Sequence, residues 1–209
     1  MATPTSQRIG IWIIAVVLTL GTLGSFLVMA LSVQNQSSDK ATIQKEYSQY
    51  QTAIAAQTKE LSDKYYTTFN QYVYLPAAFT AADVTKLTTN DLKVGDGEVL
   101  TSTTAYNAYY IGWNPKGVVF DGSISNGALK APLAGGNLIA GWNEGVVGMK
   151  IGGVRELSIP SDKAYGATGS GDNIPANTPI KFVVMVIQKV ADVPIPAELL
   201  KYYQSQSNG

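Results

Sequence analysis

The residues from Leu138 to Phe182 are the part of this 209-residue chain whose types and spacing best indicate chemistry. They combine a Trp in a short helical pattern (Trp142), an Ala-Tyr-Gly loop containing Tyr165, an Ile-Pro pair at Ile174 and a final strand pattern with Phe182. The stretch has no charged cluster suited to acid–base catalysis. The pattern therefore indicates a site that works by shape and apolar surface.

The composition excludes several classes of function, because the chain contains neither His nor Cys. Ser-His-Asp and Cys-His mechanisms are impossible without imidazole, and the commonest metal ligand is missing. Without thiols there is no disulfide framework and no thiolate metal site. Fifteen Lys and Arg balance fifteen Asp and Glu, so we expect no basic face for nucleic acid. We expect no metal and no cofactor.

Residues 9–31 are almost wholly apolar and carry no charge. As a helix, residues 11–31 would span roughly 31 Å, close to the ~30 Å hydrocarbon core of a bilayer. The alternative is a cleaved signal peptide, but its apolar region is only about 7–15 residues long. We therefore expect an uncleaved, single-pass anchor in the lipid bilayer of the cell membrane. Arg8 precedes the span, which favours a cytoplasmic N-terminal tail (residues 1–8) and an extracytoplasmic C-terminal domain.

Residues 32–76 are predicted to form a helical stalk. Apolar residues recur at steps of three or four, which is a helical period close to a heptad, and Pro76 ends the pattern. The stripe either packs on the following domain or pairs with a second copy by self-association as a coiled coil. Tyr-rich seam positions pack poorly in a coiled coil, which favours the first interpretation. The stripe consists of Ile43, Tyr47, Tyr50, Ile54, Leu61, Tyr65, Phe69 and Tyr72.

Beyond the stalk, short strand patterns with frequent turn residues replace the helical period. The strongest strand patterns are Gly153–Pro160 and Ile180–Val190, and Ala140–Gly148 suits one short helix. This combination predicts an α+β domain over residues 83–191, in which an antiparallel sheet is half-wrapped around one short helix. Residues 192–209 begin with prolines and end in polar residues, which predicts a C-terminal tail.

Three groups of residues over about half of the chain resemble a known family. Gly141–Gly145 reads Gly-Trp-x-Glu-Gly and is followed by Gly-Met-Lys-x-Gly. Ala164–Gly166 reads Ala-Tyr-Gly and is followed by Ile-Pro. Tyr-x-Gly at Tyr110–Gly112 is followed by Phe-Asp at Phe120–Asp121. In order and spacing these groups are similar to the FKBP-type peptidyl-prolyl cis-trans isomerases, and the chain is identified as a member of that family.

The resemblance implies a prolyl pocket between helix and sheet, with proline-containing polypeptides as clients. Trp142 would form its floor, and the walls would be aromatic. The backbone N–H of Ile139 and the hydroxyl of Tyr165 would bind substrate carbonyls, while Asp121 would polarise the rim. The implied catalytic residues are Tyr110, Phe120, Asp121, Ile139, Trp142, Tyr165 and Phe182, and the implied substrate-binding residues are Leu129, Leu138 and Ile174.

Three departures from the family pattern concern the rim of this pocket. No Arg lies between Asp121 and Leu129, although the family often pairs its pocket Asp with one, so Asp121 is either looser or satisfied by backbone donors. Leu129 stands at a position that is usually aromatic. Ser170 and Asn173 make the loop after Tyr165 small and polar. We expect these changes to alter the substrate groove.

The chemistry of prolyl isomerisation agrees with the resemblance. An X-Pro bond crosses a barrier of about 18–20 kcal/mol because its amide is conjugated, and an apolar pocket can favour the twisted transition state without a nucleophile. The sequence thus predicts a prolyl isomerase that assists the folding of proteins outside the cell membrane. The alternative is a non-catalytic binding or chaperone module tethered to the membrane. A weaker alternative is an assembly protein that acts through its stalk.

Overall fold

The computed structural model describes residues 37–207 of the chain. The predicted anchor at residues 9–31 lies outside the described residues, as does the N-terminal tail. Among residues 37–207, no helix has an apolar stretch long enough to cross a membrane. The helices in this range are α1 (Ser37–Phe69), α2 (Ala140–Gly145) and α3 (Ala197–Ser207), and the strands are β1 (Thr88–Lys93), β2 (Tyr106–Trp113), β3 (Val119–Gly122), β4 (Ile124–Ser125), β5 (Ala128–Leu129), β6 (Leu133–Ala134), β7 (Val154–Ile159) and β8 (Ile180–Gln188).

One antiparallel sheet organises the domain. Its strands lie in the order β1-β7-β8-β2-β3, and β6 also pairs with β2. In the register, Gly112 of β2 lies opposite Phe182 of β8 and Asp121 of β3. Because side chains alternate across a strand, Tyr110 and Gly112 share one face of the sheet and Tyr109 shares the other face with its i+2 neighbours. We call the face with Tyr110 the inner face and the face with Tyr109 the outer face.

The short helix α2 packs on strand β7, and two glycines allow this approach. A Cβ at Gly141 would lie 2.3 Å from Cγ2 of Ile159, and a Cβ at Gly145 would lie 2.8 Å from Cδ2 of Leu157. Both Ile159 and Leu157 are fully buried. The predicted α+β class, an antiparallel sheet with one short helix, is therefore confirmed.

The outer face is covered by the end of α1. Phe69 is fully buried there, and its ring centroid lies 6.3 Å from that of Tyr109. Ser62 Oγ accepts a hydrogen bond from the Leu129 N–H at 2.9 Å. Among the described residues, the compact unit that contains the sheet runs from Leu61 to Val190, so it begins ahead of the predicted boundary at residue 83. The buried members of this cluster are Phe69, Tyr109, Ile111, Trp113, Leu129, Val154, Val183, Met185 and Ile187.

A second compact unit contains the described part of α1 up to Glu60 together with the residues from Ala191 onward. Helix α3 forms over Ala197–Ser207, where the sequence predicts only a polar tail. Leu199 is fully buried, and its N–H is capped by Glu46 Oε2 at 3.2 Å. The segment predicted as a tail therefore contains a helix, and contacts with α1 within this unit bury one of its leucines.

Candidate active site

Four aromatic side chains meet on the inner face of the sheet, and we call them the aromatic cluster. The Trp142 ring lies 5.1 Å from Phe182 and 5.5 Å from Tyr110, both in edge-to-face geometry. Phe120 contacts Phe182 at 5.6 Å between centroids. These edge-to-face arrangements are the ones that aromatic quadrupoles favour. The structure thus brings together Tyr110, Phe120, Trp142 and Phe182, which the sequence places on a strand, a second strand, a helix and a third strand.

Gly112 makes the approach of these rings possible. A Cβ at this position would lie 2.4 Å from Cε1 of Phe182 and 2.7 Å from the ring of Phe120. In the register of the sheet, Gly112 lies opposite Phe182 on β8 and opposite Asp121, the residue after Phe120, on β3. A side chain here would therefore push apart the two walls that the sequence predicts to be aromatic.

Asp121 is the charged group at the rim of the aromatic cluster. Its Oδ2 accepts a hydrogen bond from the Tyr110 hydroxyl at 2.5 Å, and its Oδ1 accepts one from the Gly122 N–H at 2.7 Å. Lys130 Nζ lies 3.9 Å from Oδ1. The sequence leaves open whether Asp121 is loose or satisfied by backbone donors, and the structure shows a backbone donor on this carboxylate. Burial first, and then the hydrogen bond to Asp121, raise the pKa of Tyr110, so its hydroxyl stays a donor.

Tyr165 supplies a second hydroxyl near Asp121. Burial, and then the negative charge of Asp121, raise the pKa of Tyr165 to about 12. The hydroxyl is therefore protonated at neutral pH and can donate to a carbonyl oxygen. The preceding residues form a 3₁₀ turn at Ser161–Lys163, where Lys163 makes an ion pair with Glu144 of α2. This pair connects the helix with the segment that leads into Tyr165.

The N-terminus of α2 brings Leu138 and Ile139 to the site. Both side chains are buried, and Ile139 is the N-cap residue, whose carbonyl accepts hydrogen bonds from Trp142 N and Asn143 N. Within residues 37–207, no hydrogen bond takes the Ile139 N–H as its donor. This backbone donor is consequently available for a substrate carbonyl, as the resemblance implies.

Polar contacts hold Trp142 and its helix in place. The Trp142 Nε1–H donates to the Tyr106 hydroxyl at 3.1 Å. At the other end of α2, Arg155 Nη1 donates to the Gly145 carbonyl at 2.9 Å. The same guanidinium makes a bidentate pair with Asp91 on β1, with distances of 2.6 and 3.0 Å, and this cation lowers the pKa of Asp91. The end of the helix thus has a buried cation to satisfy its carbonyls.

The structure also places the three predicted substrate-binding residues. Leu138 and Ile174 are buried, and the Ile174 carbonyl accepts a hydrogen bond from the Ser170 N–H at 2.7 Å. Leu129, in contrast, lies in the outer cluster with Phe69 and away from the aromatic cluster, and its role in substrate binding stays a prediction. The short hairpin of β4 and β5 pairs Leu129 with Ile124, which packs against that same cluster.

Sequence reasoning missed two residues that support the site. Tyr106 holds the indole of Trp142, and its position on the inner face follows from the alternation of β2, since it lies four residues before Tyr110. Lys130 is the first cation after Asp121 in the sequence and follows Leu129 directly. This lysine, directly after the segment that lacks an Arg, is the sequence signal for a cation beside Asp121.

Comparisons with known proteins identify the family. Residues 94–187 match the family model of the FKBP-type peptidyl-prolyl cis-trans isomerases. An FK506-binding protein of Neisseria meningitidis serogroup A is 38% identical over 99 residues, which cover 47% of this chain and 91% of that protein. This chain belongs to the FKBP-type peptidyl-prolyl cis-trans isomerases. The 46 kDa FK506-binding nuclear protein of Spodoptera frugiperda is also 38% identical, over 95 residues that cover 45% of this chain and 23% of that protein. A crystal structure of a peptidyl-prolyl cis-trans isomerase from Pseudomonas syringae has a TM-score of 0.43 and 26% identity, and covers 74% of this chain and 97% of that one.

As an FKBP-type isomerase, the chain catalyses rotation about X-Pro bonds, and its site contains the groups that this reaction needs. The planar amide loses its resonance as it twists, so its carbonyl oxygen carries less negative charge in the transition state. An apolar aromatic surface therefore favours the twisted state over the planar one by differential binding. The Tyr165 hydroxyl and the Ile139 N–H can orient the flanking carbonyls without taking part in covalent chemistry.

Proposed function

We propose that this isomerase is tethered to the cell membrane by residues 9–31 and assists the folding of proline-containing polypeptides on the outer side. The observation that carries the catalytic part is the aromatic cluster with the paired Tyr110 and Asp121 at its rim. Such a surface recognises a prolyl ring and few other features, which suits unfolded and newly exported chains. The tether would hold this general activity at the place where such clients emerge.

The catalytic part is tested with the full chain in detergent micelles and a short Leu-Pro peptide. Exchange NMR should show faster cis/trans interconversion than the uncatalysed rate, which is slow, with times of tens to hundreds of seconds. Phe182→Ala removes one wall of the cluster and should lower kcat/KM strongly. An unchanged rate for this variant would show that the prolyl ring binds elsewhere. Val147→Ala, at an exposed valine beyond α2, is the matched control.

The location rests on the sequence alone, namely on the length of the apolar run and on Arg8 before it. Protease added to intact cells should digest the C-terminal domain of the full chain. The matched control lacks residues 9–31, and it should be protected because it stays inside. If the full chain were equally protected in intact cells, the proposed orientation would be wrong.

A non-catalytic binding or chaperone module is the alternative. It would bind a prolyl peptide with an affinity that depends on Phe182 while leaving the exchange rate at its uncatalysed value.

Self-association through the stalk is less supported than packing within the chain. Tyr47 and Tyr50 of the predicted seam lie near Tyr203 of α3, and burial is the first cause that raises the pKa of Tyr203.

A further inference from the structure

The loop after Tyr165 is a nearly self-contained segment, and we call residues 166–175 the flap. Inside it, the Ser170 N–H donates to the Ile174 carbonyl at 2.7 Å, and at its base the Asn177 N–H donates to the Gly166 carbonyl at 2.8 Å. Its middle residues are exposed, whereas Ile174 is buried. The flap therefore has its own shape, and contacts from outside must fix where it lies.

Asn114 supplies such a contact from the end of strand β2. Its Nδ2 donates to the Asn173 carbonyl at 2.8 Å, one residue before Ile174. In the part of the chain that the structure describes, this is the one hydrogen bond that reaches the flap from beyond residues 161–177. The flap thus depends on a single polar contact for its position against strands β2 and β3.

The side chain of Asn114 is built for this contact. It is buried, with 6% of its surface exposed. Its Oδ1 accepts hydrogen bonds from the Lys116 N–H at 3.0 Å and the Val118 N–H at 3.1 Å. With both donors on the oxygen side, the amide nitrogen must face the Asn173 carbonyl. Asn114 therefore joins the turn before Phe120 to the flap by one rigid planar group.

We infer that Asn114 is a positioning residue of this isomerase, which holds the flap so that Ile174 and Tyr165 face the wall formed by Tyr110 and Phe120. It touches no substrate itself and acts through the Asn173 carbonyl. A loosened flap must be ordered again each time a peptide binds, so the loss should fall mainly on KM. The inference rests on the isomerase activity and is independent of the proposed membrane location.

Asn114→Asp is the decisive variant, because it keeps the acceptor for both turn amides and replaces only the donor. At neutral pH, a carboxylate oxygen then faces the Asn173 carbonyl, and KM for a Leu-Pro peptide should rise about tenfold with kcat within twofold. Burial and the facing carbonyl raise the pKa of the introduced carboxyl. Its protonated form can donate to Asn173, so KM should recover as the pH falls from 7.5 to 5.

Other ionisable groups lie on the elements that meet at Asn114, and the wild type measured at each pH controls for their titration. They are Lys116 in the same turn, Asp172 in the flap, Asp121 on β3 and Lys181 with its partner Glu156 on β8 and β7.

Asn107→Asp is the matched control, because Asn107 is a second buried asparagine of β2. Its Oδ1 accepts from the Val190 N–H at 2.8 Å and its Nδ2 donates to the Leu133 carbonyl, away from the flap. This variant should lose a similar amount of stability without a pH-dependent KM. Asn114→Ser, whose side chain is too short to reach Asn173, should raise KM equally at both pH values. Should Asn114→Asp not fold, the KM of Asn114→Ser is compared with that of Asn107→Ser.

Three outcomes would overturn the inference. The first is a KM of Asn114→Asp that does not change between pH 7.5 and pH 5 relative to the wild type. The second is an equal rise of KM in the Asn107 and Asn114 variants. The third is an unchanged mobility of residues 166–175 in Asn114→Ser, measured by 15N relaxation, because a flap without this contact must move relative to strands β2 and β3. Absence of activity in the wild type would refute the isomerase assignment instead.

Discussion

The two faces of the sheet carry similar aromatic residues and have different roles. On the outer face, Tyr109 is fully buried against Phe69 at the end of α1, and both residues belong to a closed core. On the inner face, Tyr110 and Phe182 are nearly as buried, yet they meet Trp142 and Phe120 beside a carboxylate. Aromatic density is therefore common to both faces and does not by itself mark a site.

The faces differ in how the hydroxyls of the adjacent Tyr109 and Tyr110 are satisfied. The Tyr110 hydroxyl donates to Asp121, and the Trp142 N–H donates to Tyr106. The Tyr109 hydroxyl is buried and has no hydrogen-bond partner among the described residues. Fixed polar partners orient rings at a surface where a substrate must be placed, whereas the outer face needs only to exclude water.

The largest effect on stability is expected at the outer face, from Phe69→Ala. Removing a fully buried Phe should lower the free energy of unfolding by about 3–5 kcal/mol, as measured by urea denaturation. The kcat/KM of the folded protein at low temperature should stay within twofold, because the side chain does not reach the inner face.

Thr67→Ala is the control for this experiment, since Thr67 is exposed on the same helix. It should change stability by less than about 0.5 kcal/mol. A large loss of kcat/KM in folded Phe69→Ala would show that the two faces are coupled, and the comparison would then fail.

A large effect on activity is expected at the inner face, from Gly112→Ala. The new methyl group would lie 2.4 Å from the Phe182 ring, so Phe182 and Phe120 must separate. We expect kcat/KM to fall at least tenfold on a Leu-Pro peptide, since a misplacement of about 1 Å can cost two orders of magnitude. Gly122→Ala adds the same methyl group on the neighbouring strand, where the nearest atom would be 3.4 Å away.

The loss in Gly122→Ala should be at least five times smaller than in Gly112→Ala. Equal losses in both variants would mean that alanine disturbs the strands in general and that the ring geometry is not the cause.

The inner face was predictable because short motifs fix its residues. The Gly-Trp-x-Glu-Gly segment and the Ala-Tyr-Gly loop place Trp142 and Tyr165. Both glycines of the first segment meet neighbours too closely for a side chain, and the glycine of the second has a positive φ. The resemblance assigns Leu129 to the pocket, whereas the structure places it in the outer cluster, because a family motif does not determine which face a short strand presents. The Asn-Gly turn at Asn126 and Gly127, both with positive φ, sets that register and was a readable signal.

The edges of the fold were less predictable, because their sequences lack periodicity. Strand β1 (Thr88–Lys93) is mostly exposed and polar, so it has no apolar alternation, and its pairing with β7 is defined by tertiary context. Helix α3 depends on partners in α1 that no local pattern reveals.

The smallest effects are expected from two adjacent tyrosines, and they test the comparison most directly. Tyr109→Phe removes a buried hydroxyl that has no partner within residues 37–207, so it should raise the free energy of unfolding by about 1 kcal/mol and leave kcat/KM unchanged. Tyr110→Phe removes the donor to Asp121, so it should lower kcat/KM about fivefold. Urea denaturation and exchange NMR measure both quantities on each variant. A destabilised Tyr109→Phe would mean that this hydroxyl is satisfied after all, and polar satisfaction would then no longer distinguish the closed core from the site.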